Sequence, residues 1–117
     1  MDKNNKTVEI IFNEYIESST LSLSTKKRYR KLFNRYIQDK DALIQDVTKA
    51  DIFRDISWMI YIASEDTMRR VYLIWKHIIH YALYKEYISK DLIAGLVLPI
   101  SRTIYNKKET TTDWPNT

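Results

Sequence analysis

The chain has 117 residues, one glycine, two prolines, no cysteine and a formal net charge of +4 at pH 7. That length suits one domain with its own hydrophobic core and excludes two of ordinary size. The missing cysteines exclude a disulfide framework and any thiolate metal site, and so few glycines and prolines argue against hairpin-rich sheets or barrels, which leaves an all-α fold with short polar loops.

Residues 1–6 are polar and read as a disordered N-terminus without the apolar core of a signal peptide. A first helix follows, because Val8, Ile11, Phe12, Tyr15 and Ile16 recur at helical spacing and Thr7 is a suitable N-cap. Ser22 caps a second helix over 23–38, with Tyr29, Leu32, Phe33, Tyr36 and Ile37 as its buried stripe. The stretch from Thr48 to Asp51 reads as a capping box opening a third helix, 49–63, that buries Ile52, Phe53, Ile56, Met59 and Ile60. Ser64 caps a long fourth helix over 65–87, whose core stripe is Met68, Val71, Tyr72, Trp75, Ile78, Ile79 and Ala82. A short helix over 90–95, capped by Ser89 and stopped by Gly95, closes a folded unit spanning 7–100. Residues 101–117 are rich in Thr, Lys and Asn and read as a linker or disordered tail. The longest uncharged apolar stretch, Ile56 to Ser64, is about half the length of a membrane span. A cytoplasmic protein with no membrane partner is therefore expected.

Charge is distributed unevenly. Between Ser18 and Gln38 there is no acid, while Lys26, Lys27, Arg28, Arg30, Lys31 and Arg35 supply six positive charges. In helical projection Lys27, Lys31 and Asn34 lie opposite the aromatic stripe, with Lys26, Arg28, Arg30 and Arg35 on the two shoulders. The fourth helix carries Arg69, Arg70, Lys76 and Lys85 without an acid from Thr67 to Lys85, and His77, His80 and Tyr84 project opposite its core stripe. Two acid-free basic helices in one small domain fit the closely spaced phosphates of duplex DNA. Thr25 and Thr67, near helix N-termini, add hydroxyl donors for phosphate oxygens. The predicted DNA surface therefore comprises Thr25, Lys26, Lys27, Arg30, Lys31, Arg35, Thr67, Arg69, Arg70, His77 and Tyr84.

Other chemistries lack residues. His77 and His80 stand three apart, but no thiolate or nearby carboxylate completes a metal site, and there is no phosphate-binding glycine loop, nucleophile elbow or HExxH pattern. No catalytic group, metal or cofactor is predicted.

The order of these pieces resembles the core-binding domain of tyrosine recombinases, the phage-integrase type, over about residues 7 to 100. The family's Leu-Ser-x-x-Thr-x-x-x-Tyr helix start is matched from Leu21 to Tyr29, its Ile-Thr-x-x-Asp-Ile start from Val47 to Ile52, and its Ser-x-x-Thr-x-x-Arg start from Ser64 to Arg70. The aromatic-rich closing portion runs from Ile78 to Leu92, where Asp91-Leu92 stands in place of the family's Asn-Pro. The resemblance implies a SAM-like bundle of four main helices plus a short C-terminal one. It also implies half of a C-shaped clamp on recombination-site DNA, in the DNA integration and recombination of a mobile genetic element. The catalytic domain, with its Arg, Lys, His-x-x-Arg and tyrosine groups, would be a separate part of the same parent protein. In isolation this domain is expected to be a monomer that binds double-stranded DNA. The competing expectation is a free-standing helical adaptor whose basic surface docks an acidic protein.

Overall fold

The computed structural model describes residues 6–97. Four helices form in this span: α1 (Val8–Ser18), α2 (Leu23–Tyr36), α3 (Lys49–Ser57) and α4 (Glu65–Tyr84). Two 3-10 turns, Ile44–Asp46 and Trp58–Tyr61, precede and follow α3. Among the described residues the only β pairing is an isolated bridge between Thr7 and Leu43.

Each helix begins where a short hydroxyl side chain can satisfy backbone N–H groups that lack an intrahelical partner. Thr7 accepts from Ile10 N at 3.2 Å, Ser22 from Thr25 N at 3.2 Å and Ser64 from Thr67 N at 3.1 Å. At α3 the box is reciprocal: Thr48 Oγ1 accepts from Asp51 N, and Asp51 Oδ2 accepts from Thr48 N at 2.9 Å. The α1 start is held from outside as well, since the 39–44 loop returns to it. Ala42 O and Lys40 O accept from Val8 N and Glu9 N, each at 3.0 Å, and Ile44 N donates to Lys6 O at 2.9 Å.

The long helix α4 is the centre of the bundle, and α1, α2 and α3 all pack against it. Its buried residues are Met68, Val71, Ile74, Trp75, Ile78, Ile79 and Ala82. Around it lie Val8, Ile11, Phe12 and Ile16 of α1, Phe33 of α2, and Ile52 and Ile56 of α3. The Phe12 and Phe33 rings stack in parallel at 4.1 Å between centroids, joining α1 to α2. One charged group enters this core. Asp55 of α3 is buried, accepting from Trp75 Nε1 at 2.9 Å and from Gln38 N at 3.1 Å.

Three expectations about the elements are corrected. No helix forms over 90–95, so the short C-terminal helix is absent. Asp91 Oδ1 instead accepts from Ile93 N and Ala94 N, Leu96 N bonds back to Ile93 O, and Gly95 sits at φ +80°. A side chain that takes both amides in a local turn competes directly with helix nucleation. The fourth helix stops at Tyr84 rather than 87, because Glu86 turns to φ +65° and Tyr87 N bonds to Ala82 O while Glu86 N bonds to Leu83 O. In the third segment the α-helix tightens to a 3-10 turn at Trp58, which changes the azimuth of everything beyond it. Met59 stays inside, whereas Ile60 is 45 % exposed, and Phe53 on the side of α3 is 44 % exposed.

Candidate nucleic-acid interface

Helix α2 buries Phe33 and leans Tyr29, Leu32 and Tyr36 against the core, which orients its other face toward solvent. Lys27, Arg28, Lys31, Asn34 and Arg35 are exposed on that face, and Thr25, Lys26 and Arg30 are half-buried along its edge. Among the described residues, none of the six α2 cations forms an ion pair. Arg35 places its guanidinium 5.6 Å from the Tyr36 ring centroid, and Lys40 donates to Ile37 O and Asn34 O at 2.8 and 3.2 Å. Lys40 thereby adds a cation at the carbonyl end of α2, where the helix dipole favours it. Cations with no acid beside them keep their full attraction for an external polyanion.

The α4 residues are differently placed. Arg69 pairs with Glu65 and Arg70 with Asp66, each at 3.1 Å and each one turn back along the helix. The acid-free run from Thr67 onward is thus offset at its start by the two residues preceding it. Thr67 is half-buried, its Oγ1 within 3.0 Å of Ser64 Oγ, and the Thr25 hydroxyl repeats that geometry with Ser22 at 3.0 Å. Tyr84 is 80 % exposed. His80 is exposed too and lies 3.5 Å from Asp91 Oδ2.

His77 is not on the open face that its projection implied. Its ring lies between Tyr15 of α1 at 5.1 Å and Tyr29 of α2 at 6.1 Å, both in stacked orientation. Burial, helped by Lys76 and His80, holds its pKa below the usual 6.5, so the ring is neutral at pH 7. The physical reason is local: Tyr15 of α1 and Tyr29 of α2 cover α4 at His77, whereas His80 and Tyr84, farther along the same face, stay exposed.

Two further polar clusters organise the domain. The Glu14 carboxylate accepts from Lys6 at 2.6 Å, from the Tyr87 hydroxyl at 2.9 Å and from the Tyr81 hydroxyl at 3.4 Å. These bonds tie α1 to the end of α4, and they depress the Glu14 pKa despite an opposing burial effect. Asp55 is the buried acid of the Trp75 contact, and it was not singled out from sequence. The signal was available, because Ile52, Asp55, Ile56 and Met59 follow the i, i+3, i+4, i+7 spacing of a core stripe.

Among the described residues, no group of three or more His, Cys, Asp or Glu side chains is arranged to hold a metal ion, and no helix is long and apolar enough to cross a membrane. Comparison of the chain with protein-family models, with curated proteins and with solved structures finds no match.

Proposed function

We propose that this domain binds duplex DNA through the exposed face of α2, as the clamp domain of a site-specific recombinase of the tyrosine type. The observation that carries the reading is the α2 surface itself: from Lys27 to Arg35 its five exposed side chains lie on one face, four of them cationic, with no acid in the helix and no ion pair to these cations among the described residues. Lys27, Lys31 and Arg35 stand one turn apart, so the helix presents about one cation every 6 Å along its length. Such a row suits a backbone of regularly spaced phosphates, where each neutralised phosphate releases condensed counterions.

The recombinase part of the proposal rests on the helix-start motifs from Leu21, Val47 and Ser64, each of which coincides with an observed N-terminus of α2, α3 or α4. Strand cleavage and joining are assigned to a separate catalytic domain, and this chain supplies positioning on the DNA.

The test is binding of a fluorescent duplex to the full chain, competed with heparin. Release of duplex from a saturable complex with a steep dependence on salt is expected. Duplex bound no better than heparin, charge for charge, would favour the acidic-protein adaptor instead.

A further inference from the structure

The α2 face contains one uncharged polar side chain within its cationic row. Asn34 is exposed, one turn beyond Lys31 and beside Arg35, with Lys40 anchored on its own backbone carbonyl. Its carboxamide makes no hydrogen bond to any described residue. Both of its donors and both acceptor sites therefore face outward from the surface that holds the unpaired cations.

Resting on the DNA reading above, we infer that Asn34 is the base-reading residue of this domain and that its target is an adenine in the major groove. A primary carboxamide offers a donor and an acceptor side by side, the complement of adenine N7 and its N6 amino group, whereas the lysines and arginines of the same face offer donors only and pair, where they meet a base, with guanine O6 and N7. From sequence alone, Arg69, Arg70, His77 and Tyr84 of α4 are the residues expected to approach groove edges. In the structure both arginines are engaged by acids one turn back, and the neutral His77 ring is stacked between two tyrosines. Tyr84 stays openly exposed but lacks a side-by-side donor and acceptor. Other exposed carboxamides have the wrong surroundings. Asn13 shares α1 with Glu9 and Glu17, Gln38 lies past the end of α2 next to Asp39, and Gln45 adjoins Asp46, so a phosphate backbone approaching any of the three meets a negative charge.

The experiment is selection of bound sequences from a pool of randomised duplexes by the full chain and by Asn34→Ala, followed by anisotropy titration of the selected duplex and of one with the adenine pair replaced by G·C. The parent should enrich an adenine at one position and discriminate against the G·C replacement by about 5- to 150-fold, the worth of one bidentate contact. Asn34→Ala should lose that preference while binding unselected duplexes as the parent does, with the same salt slope. Alanine at an exposed helical position also favours the helix, so the variant folds. If the parent binds duplexes without enriching adenine, or Asn34→Ala keeps the preference, the base-reading role is overturned and the DNA surface stands. If the parent binds no duplex, both are overturned.

Discussion

Trp75 Nε1 donates a 2.9 Å hydrogen bond to Oδ2 of Asp55, and both residues are buried where α3 meets α4. Removal from water raises the Asp55 pKa to about 6, against the opposing effects of the Trp75 and Gln38 hydrogen bonds. Between its unfolded value near 3.8 and about 6, the native protein retains a proton that the unfolded chain has lost. The Asp55 contribution to stability therefore falls as pH rises through that window, by about 2–3 kcal/mol. Glu14, Asp51 and Asp91 have lowered pKa values and act in the opposite sense, losing stability as pH falls. Comparing the parent with Asp55→Asn cancels their effects. Urea denaturation should show the stability difference, parent minus variant, shrinking or reversing in sign between pH 4 and pH 7; a difference that is constant or grows with pH contradicts the burial of this acid.

Truncating Trp75 should be among the most damaging changes in the domain, because the side chain is fully buried and its indole N–H is one of two donors to the Asp55 carboxylate. A loss of about 3–5 kcal/mol is expected for Trp75→Ala from packing alone. Trp75→Phe, which keeps most of the volume and removes the donor, should cost about 1–3 kcal/mol at pH 7. Thermal or urea unfolding of both variants checks this, and parent-like stability of either contradicts the assigned contact.

The α4 terminus gives a gain-of-stability prediction. Glu86 holds φ +65°, the left-handed conformation that glycine adopts freely, in a paired 6→1 and 5→2 hydrogen-bond pattern closing the helix. Glu86→Gly should raise stability by about 1 kcal/mol, since the steric cost of a side chain at that φ outweighs glycine's greater entropy when unfolded. An unchanged or lowered urea midpoint contradicts it.

For His77 the direction is the reverse of that for Asp55. A neutral, stacked imidazole with its pKa below 6.5 contributes stability that is lost as pH falls below 6.5 toward its folded value. The His77 ring resonances should titrate with a midpoint under 6.5, and His77→Phe, which keeps the stack, should lose less stability than the parent on acidification. A midpoint at or above 6.5 contradicts the burial.

What could be read from the sequence was local. The caps at Thr7, Ser22, Thr48 and Ser64 were legible because each acts on amides two or three residues away. The stripe centred on Trp75 was legible because a central helix repeats its apolar face over many turns. Ile74 was missed because it lies at the edge of the projected stripe, and His77 was misplaced because projection of one helix cannot show that Tyr15 of α1 and Tyr29 of α2 cover that position. The stop at Glu86 carries no glycine or asparagine to announce it. The Asp91 turn competes with a helix only through side-chain geometry that residue type leaves open. For the candidate interface, the α2 charge pattern was visible directly. The acids that engage Arg69 and Arg70 were equally visible one turn upstream, just outside the acid-free window.

Whether α2 is the DNA-contacting surface is tested most directly by a salt titration of duplex binding, monitored by fluorescence anisotropy. The parent is compared with the double substitution Lys27→Gln, Lys31→Gln, at exposed positions without ion pairs among the described residues. Removing two phosphate contacts should weaken binding to every duplex and flatten the plot of log K against log salt by roughly two units. Equal affinities and equal slopes for the two proteins would take α2 out of the interface and contradict the account.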